Sequence, residues 1–447
     1  MRHHNSGSFV LPDKASIVVI GGGPTGSFFS IFALKMARML GKDIRVTVFE
    51  PKNFAEDGPA GCNRCGGIIS ELLIQMLAVE GINLPDSVVR KGINSYRLHT
   101  NHGDAYIATP GLEKTIATVS RGGGPKGMAG IDKESFDRFL LSQAIEEGAV
   151  HQPLMIDHVA YRNDRPVLFS QKNEVMDADL VVGAFGVNSA TATQVEGMGF
   201  GYQAPPVITA AIAELSMPED AVTEYFGNSI HLFLVPDRGV KFAAMIPKGP
   251  YVTLCILGKN VNANTVNEFL DKPLVSAVLP KGLPFRIECR CLPKMNVGAP
   301  KKPFADRMVM CGDAGSTRLF KDGLGAAYLM GKSAAKTAVF QGVGGRHFQE
   351  HYYPVYRSIV TDNYYGRYLY TITDIYRKNK IFTRAMLEVV RREQQGSGGR
   401  KMLSSILWDM FTGNERYKNI FPRALDVRMH LELWKEMAKA LVTEGRL

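Results

Sequence analysis

The sequence predicts an α/β protein, α+β overall, in which a Rossmann-like unit is joined to an antiparallel β-rich unit and a helical C-terminal region. Three observations lead to this fold class. A strand, a glycine-rich turn, a helix and a second strand follow one another within residues 16–50. Short β-branched runs separated by Pro, Gly and Asp turns fill residues 206–300. Helical periodicity dominates after residue 346.

The first unit begins with a continuous β-branched run over residues 16–20, which is typical of a strand buried on both faces. The turn that follows reads Gly21-Gly22-Gly23-Pro24-Thr25-Gly26. Gly21 allows a tight turn, Gly23 lets the backbone approach a diphosphate, and Gly26 permits close packing of helix on strand. The N-terminus of the predicted helix over residues 27–39 offers free N–H groups to phosphates.

The second strand, over residues 44–49, leads directly into Glu50. This acid stands 24 residues beyond Gly26, where a carboxylate can accept the two hydroxyl groups of an adenosine ribose. Strand, glycine turn, helix, strand and terminal acid therefore predict a dinucleotide site.

Charge and tyrosine content single out the C-terminal region. The chain carries a net charge of +10, and residues 346–447 hold 18 Lys/Arg against 11 Asp/Glu. A basic surface suits an anionic membrane, an acidic protein or nucleic acid, but no nucleic-acid-binding motif is present and we expect no such partner. Eight of the 16 tyrosines lie within residues 352–376. Tyrosine beside Lys and Arg suits membrane-surface contact, and the alternative is a Tyr-rich helix packed on the rest of the protein.

The six cysteines are too few for a disulfide framework, and no apolar leader precedes the first strand. We therefore expect a cytoplasmic protein, with attachment to the inner face of the membrane as the alternative.

A second glycine motif lies towards the C-terminal side. A hydrophobic strand over residues 307–311 ends in Gly312-Asp313, and a small-residue helix opens with Gly323-Leu324-Gly325-Ala326. This pattern resembles the second FAD signature of the glutathione-reductase-type flavoproteins, in the branch shared by aromatic hydroxylases and geranylgeranyl reductases. The resemblance implies FAD as the cofactor, Asp313 on its ribityl chain and the second glycine cluster at the pyrimidine end of the flavin. A helix dipole there would stabilise the anionic reduced flavin.

Two further stretches fit the same family. Residues 178–189 resemble its middle motif, but Phe185 replaces the usual aspartate, which puts direct use of NADPH in doubt. Residues 131–140 fit the helix that precedes a Gly-Ala pair. The basic glycine loop over residues 120–127, just before that helix, could bind an anion or be a plain mobile loop.

The loop after Glu50 reads Cys62-Asn63-Arg64-Cys65-Gly66-Gly67 and resembles the cysteine–glycine loop of the geranylgeranyl reductases. The resemblance places Arg64, Cys65, Gly66 and Gly67 beside the isoalloxazine ring, with Cys65 as the candidate catalytic residue. Three interpretations of the Cys-x-x-Cys pair stay open. It is a redox dithiol activated by Arg64, a zinc site, or a glycine loop with packed thiols. No second pair of ligands is present for zinc, so we expect no metal.

The resemblance implies an FAD-dependent oxidoreductase that reduces carbon–carbon double bonds of a hydrophobic substrate, such as an isoprenoid or lipid, by hydride transfer from reduced flavin N5. A ferredoxin-like protein or NAD(P)H would be the electron donor. The alternatives are an FAD-dependent monooxygenase of an apolar substrate and an electron-transfer component that docks an acidic redox partner. Flavin-dependent halogenases share the fold and carry a Trp-x-Trp motif. The two tryptophans of this chain, Trp408 and Trp434, do not form such a motif, which argues against a halogenase.

At 447 residues the chain is long enough for two or three structural units. We predict a discontinuous FAD-binding domain over residues 1–70, 128–200 and 301–345. Residues 71–127 and 201–300 would form a β-rich substrate domain, and residues 346–447 the helical C-terminal region.

Overall fold

The structure is a computed structural model that describes residues 9–63, 66–110, 116–124, 134–235, 239–282, 285–396 and 401–444. The strands within these ranges are β1 (Ala15–Ile20), β2 (Ile44–Phe49), β3 (Ile68–Ile69), β4 (Val89–Ile93), β5 (Ser95–Thr100), β6 (Gly103–Ala108), β7 (Ile116–Val119), β8 (Val150–Gln152), β9 (His158–Arg162), β10 (Arg165–Ser170), β11 (Asn173–Asp177), β12 (Leu180–Gly183), β13 (Val207–Ser216), β14 (Ser229–Phe233), β15 (Val240–Pro247), β16 (Tyr251–Gly258), β17 (Arg286–Cys291), β18 (Lys294–Asn296), β19 (Phe304–Ala305) and β20 (Met308–Met310). The helices are α1 (Pro24–Met39), α2 (Glu71–Val79), α3 (Phe136–Glu146), α4 (Thr191–Glu196), α5 (Glu219–Phe226), α6 (Thr265–Leu270), α7 (Pro273–Ser276), α8 (Gly323–Phe340), α9 (Gly345–His347), α10 (Tyr353–Tyr376), α11 (Lys380–Gln395), α12 (Met402–Thr412), α13 (Tyr417–Ala424) and α14 (Val427–Glu444).

A six-stranded sheet in the order β19-β20-β12-β1-β2-β8 forms the Rossmann-like unit, and all its pairs except β19–β20 are parallel. Helices α1, α3 and α8 pack on one face through an extended apolar core. The other face packs on the antiparallel sheet β9-β10-β11 through a separate cluster. Burial on both faces explains the continuous apolar runs of β1 and β12. The predicted order of strand, turn, helix and strand at the N-terminal end is confirmed.

The second large sheet has the order β17-β13-β16-β15-β14-β5-β6, with β18 paired to β13. Its pairs are antiparallel except β5–β14, which is parallel. Sequence patterns predicted an antiparallel sheet for residues 206–300, and the described strands of that range do pair with one another antiparallel. The exception arises because β5 and β14 come from distant parts of the chain, so no hairpin sets their relative direction.

The C-terminal helices cover one face of this sheet. An apolar cluster joins sheet residues such as Ile212 and Leu257 to residues of α10–α14, including Trp408 and Tyr417. The opposite face is covered by α5, α6 and α7. The mixed α/β fold class predicted from the sequence is therefore confirmed, with the helical region packed on the β-rich unit. Within the described ranges, no helix combines the length and apolarity needed to cross a bilayer.

Most of the clustered tyrosines face inward. The Tyr352 hydroxyl donates to Met310 O at 2.7 Å, and the Tyr356 hydroxyl donates to Pro300 O at 3.0 Å. Among the eight, only Tyr364, Tyr368 and Tyr376 are exposed. The helix packed on the rest of the protein is thus the better description of most of this segment.

Candidate functional site

The first glycine turn occupies the carboxyl end of β1, where only glycine fits at two positions. Gly21 has a positive φ of 106°, and a Cβ atom there would lie 2.5 Å from Ala184 O. A Cβ atom on Gly26 would lie 1.9 Å from Gly21 O, because the first turn of α1 passes directly over the glycine turn. Helix α1 begins at Pro24, and among the described residues no side chain caps its N-terminus. Its first turn contains no acidic residue, so backbone N–H groups at its positive dipole end are available to an anion.

Glu50, the acid that follows β2, lies against this turn. Its Oε2 accepts the Gly22 N–H at 2.9 Å, and its Oε1 accepts the Lys52 N–H at 2.9 Å. Burial raises the pKa of Glu50, while these backbone N–H groups and the Lys52 ammonium act in the opposite direction. The two backbone hydrogen bonds orient a buried carboxylate beside the end of α1.

A cleft of about 320 Å³ opens next to Glu50. Its walls come from the segment after β2, from α3 and from the end of β8. The lining residues are Pro51, Lys52, Asn53, Phe54, Arg138, Leu141, Ser142, Ile145, His151 and Pro153. This volume lies within the range of small-molecule sites, and the mixed polar and apolar lining is compatible with a nucleoside.

The second glycine motif touches the first. Gly312 has a positive φ of 61°, and a Cβ atom there would lie 2.1 Å from Thr25 Oγ1. Further along, Gly331 of α8 packs on Thr25 and Phe29 of α1. Two motifs from opposite ends of the chain therefore meet at the carboxyl edge of the parallel sheet, which is where α/β folds bind ligands.

Asp313 follows Gly312 in this motif, and its side chain is exposed. The surrounding protein nonetheless raises the pKa of its carboxyl group, and Arg121 acts in the opposite direction. Two hydrogen bonds to backbone carbonyl groups hold this loop in place. Asn296 Nδ2 donates to Asp313 O at 2.9 Å, and the Tyr202 hydroxyl donates to Ala314 O at 2.8 Å. This places Asp313 and Arg121 close enough for their charges to interact.

Arg121 itself is positioned by an acid that the sequence did not single out. The carboxylate of Asp137 is fully buried and accepts hydrogen bonds from Arg121 and Asn63. Arg121 belongs to the glycine loop that the sequence marked as a possible anion site. The described part of that loop is residues 120–124, of which residues 121–124 pack against residues 55–63. In the sequence, Asp137 stands beside an arginine within the 131–140 stretch, which could have suggested an ion pair. The sequence could not show that the actual partner of Asp137 is Arg121.

The N-terminus of α8 carries a second feature that sequence reasoning missed. Asp322 is the N-cap residue, and its carboxylate accepts the Gly325 N–H at 3.1 Å. Arg318 forms a buried ion pair with Asp322 at 2.6 Å and donates to Gly413 O at 2.9 Å. Gly323, Leu324, Gly325 and Ala326, all predicted to contact the cofactor, form the first turn of this capped helix. An Asp directly before a helix is itself an N-cap signal.

The cysteine–glycine loop lies against the second large sheet. A Cβ atom on Gly66 would lie 3.3 Å from Cys255 Sγ. Gly67 has a positive φ of 66°, and a Cβ atom there would lie 2.0 Å from Val119 O. Packing alone therefore requires glycine at position 67. Arg64 and Cys65 lie outside the described residues, as do residues 131–133 of the helix motif.

No protein-family model matches the chain, and none of the curated proteins matches it. Solved structures do match along nearly its whole length. A geranylgeranyl bacteriochlorophyll reductase-like protein from Thermoplasma acidophilum is 16% identical, with a TM-score of 0.59, over 96% of this chain and 99% of that one. A flavoprotein/dehydrogenase from Cytophaga hutchinsonii is 13% identical, with a TM-score of 0.62, over 96% of this chain and 100% of that one.

The halogenase PltM, solved in complex with phloroglucinol and FAD, is 12% identical, with a TM-score of 0.61, over 92% of this chain and 86% of that one. The chain therefore shares its fold with these three proteins.

Proposed function

We propose that the chain binds FAD and acts as a flavin-dependent oxidoreductase. The observation that carries this proposal is the contact between Thr25 and Gly312, which joins the two glycine motifs beside Glu50 and Asp313. The donor set fits an FAD molecule. An uncapped helix end and glycine backbone suit the diphosphate, and the cleft beside Glu50 suits the adenosine.

Each residue has a distinct part in holding the cofactor. Glu50 would accept the ribose hydroxyl groups, and Asp313 would bind the ribityl chain. Arg121, fixed by Asp137, would add a positive charge near the diphosphate. Bound FAD would supply hydride transfer at N5 of its reduced ring.

The reaction we propose is reduction of a carbon–carbon double bond in a hydrophobic substrate, such as an isoprenoid or lipid. An apolar substrate would suit the layer between the second large sheet and the C-terminal helices, because this layer is apolar and includes Ile212, Ile246 and Leu257. The reductase-like protein among the structural neighbours supports the same class of reaction. The second carbon would take a proton from solvent or from a nearby acid. The C-terminal helices, which pack on this face, would exclude water from it.

A monooxygenase is the second candidate, because halogenases and a flavin-dependent brominase are also among the structural neighbours. An electron-transfer component that docks an acidic redox partner through the basic C-terminal region is the third. All three candidates share FAD and differ in what oxidises the reduced cofactor.

We expect the purified protein to retain FAD and show a flavin absorbance spectrum. A Glu50→Ala variant should bind FAD about tenfold to a hundredfold more weakly, because hydrogen bonds to a charged group contribute roughly 1.5–3 kcal/mol. Glu174→Ala, in an exposed ion pair with Arg162, is the matched control and should bind FAD normally. A folded protein that binds no added FAD would disprove the proposal.

The photoreduced protein separates the three candidates. Reoxidation by an added alkene, with slow consumption of oxygen, supports the reductase. Rapid oxygen consumption with an oxygenated product supports the monooxygenase. Reoxidation only by an added protein acceptor, such as a ferredoxin, supports the electron-transfer component. A ferredoxin-like protein or NAD(P)H as physiological electron donor stays a prediction.

Contact with an anionic membrane surface is a further part of the proposal. The exposed face of α10 contains Tyr364, Tyr368, Ile372 and Ile375, which are spaced to lie on one side of the helix. Aromatic and apolar side chains near basic residues suit the headgroup level of a bilayer.

We expect the protein to sediment with vesicles containing phosphatidylglycerol at low salt. An Ile375→Asp variant should lose much of this binding because the side chain is 62% exposed and would carry a charge into the bilayer surface. Val79→Asp, at an apolar residue outside the C-terminal region that is 85% exposed, is the control. Equal sedimentation of the wild type with zwitterionic and anionic vesicles would contradict the proposal.

A further inference from the structure

Helix α14 presents an apolar stripe to solvent. Its members are 46–69% exposed and are spaced four, three and seven residues apart, namely Val427, Leu431, Trp434 and Leu441. At 3.6 residues per turn these positions fall on one side of the helix. A contiguous exposed apolar patch of this kind marks an interaction site.

The inward side of α14 packs on the rest of the C-terminal region. Met429 and Leu433 are 6% and 2% exposed and belong to the apolar cluster that joins the C-terminal helices to the second large sheet. Arg392 of α11 forms ion pairs with Glu432 at 2.9 Å and with Glu436 at 2.6 Å. Since these contacts hold α14 in place, the outward stripe is available to a partner.

The stripe on α14 continues towards the exposed face of α10. The ring of Phe421 in α13 lies 6.3 Å, centroid to centroid, from the ring of Tyr368 in α10. Leu425, one turn further along at the end of α13, is 54% exposed, and Val427 follows it at the start of α14. The apolar surface therefore extends over three helices, which is wider than the seam that one partner helix covers.

Exposed basic residues accompany this surface. Five of them lie within two turns of its apolar residues and form no ion pair among the described residues, namely Arg357, Lys378, Arg416, Lys418 and Arg428. Only two nearby acids, Glu415 and Asp426, also lack an ion pair within the described ranges. The balance of charge around the apolar surface is therefore positive, and its complement is an anionic surface.

A bilayer that contains anionic lipids fits this combination. We propose that α14 lies in the headgroup layer of such a bilayer, with Trp434 and its apolar neighbours inserted and the basic residues at the lipid phosphates. Tryptophan favours this depth because its ring is apolar while its N–H finds a polar partner. The inference rests on the membrane contact proposed for α10 and adds a second helix to it.

A second copy of the chain fits the stripe less well. Arg428 and Lys435 both lie along one edge of the stripe, because they are seven residues apart. In an antiparallel pair of α14 helices related by a two-fold axis, this edge would face its own copy, and the like charges would repel.

The two tryptophans of the chain make the test specific. Trp408 is fully buried, whereas Trp434 is 63% exposed on the stripe, so Trp434 is the one that can meet lipid. Phosphatidylcholine vesicles containing phosphatidylglycerol, with and without brominated acyl chains, are added to the purified full-length protein at low salt. We expect the tryptophan emission to shift to shorter wavelength and to be quenched by the brominated lipid. Trp434→Phe should show neither change and should still sediment with the vesicles.

Two leucine variants measure what the stripe contributes. Leu431→Asp should bind the anionic vesicles about tenfold more weakly, because a charged side chain replaces one that would enter the apolar layer. Leu292→Asp is the matched control, since Leu292 lies outside the C-terminal region and is 42% exposed, against 46% for Leu431. Equal weakening in both variants would overturn the inference.

Three further outcomes would overturn it. One is an unchanged Trp434 emission with vesicles that bind the protein, which would leave α10 as the contact and α14 outside it. Another is the same emission shift when the protein alone is concentrated and sediments as a dimer, which would assign the stripe to a second copy. The third is an equal shift with a soluble acidic amphipathic peptide, which would assign it to a protein partner.

These readouts separate the present inference from the earlier proposals. Emission of Trp434 reports on α14, sedimentation of Ile375→Asp reports on α10, and flavin absorbance reports on FAD. None of the vesicle measurements needs turnover or bound cofactor.

Discussion

A Gly26→Ala variant should lose both stability and FAD. The added methyl group would lie 1.9 Å from Gly21 O and 3.0 Å from Val19 Cγ1, and the first of these contacts is with backbone that cannot rotate away. Overpacking a tight interior costs typically about 1–3 kcal/mol. Here the start of α1 must also move away from the glycine turn, so the proposed diphosphate site is displaced.

Thermal unfolding and retention of FAD measure the two effects separately. Gly92→Ala is the matched control, because a Cβ atom at Gly92 in β4 meets no atom within 4 Å. That variant should unfold at or slightly above the wild-type temperature, since alanine restricts the unfolded chain more than glycine does. If Gly26→Ala kept wild-type stability and FAD affinity, the close packing of α1 on the glycine turn would not be the basis of the site.

An Arg318→Met variant should be the most damaging single change near α8. The side chains of Arg318 and Asp322 are 6% and 4% exposed. Asp322 caps the helix, and Arg318 also donates a hydrogen bond to Gly413 O in the C-terminal region. Removing one partner of a buried pair costs about 3–5 kcal/mol, because the other charge stays buried without compensation. Burial already raises the pKa of Asp322, and Arg318 is the largest influence in the opposite direction.

Urea unfolding should show this loss, and hydrogen exchange should show that α8 and the segment around Gly413 loosen together. Arg162→Met is the control. Its ion pair with Glu174 has a similar length, 2.7 Å, but both side chains are largely exposed. Exposed pairs contribute about 0–1 kcal/mol, so that variant should be nearly neutral.

The double variant Arg318→Met/Asp322→Asn identifies the cause. Asparagine keeps the N-cap and tolerates the left-handed backbone at this position, where φ is 47°. It also removes the buried charge, so part of the lost stability should return. A double variant no more stable than Arg318→Met would mean that lost packing, rather than an uncompensated carboxylate, causes the damage.

Local features of the sequence were sufficient to predict much of the Rossmann-like unit. The buried strand, the glycine turn and the start of α1 each depend on neighbours within a few residues, through sterics and periodicity. Glu50 could be placed because a short βαβ unit has limited freedom in where its second strand ends. The parallel pairing of β5 with β14 was not predictable in this way, because the two strands are separated by more than a hundred residues.

The polar contacts of the site depended almost wholly on tertiary structure. Arg121 needs Asp137, the Thr25 side chain needs Gly312, and Arg318 needs Gly413 as well as Asp322.

The sequence by itself determined the α/β class, the glycine turn at residues 21–26 and the position of Glu50 at the end of the second strand. Local backbone sterics and hydrophobic periodicity encode these features. Only the tertiary structure decided which motifs meet and which charges are paired. Those properties depend on contacts between residues far apart in the chain, whose partners are chosen by the topology of the sheets.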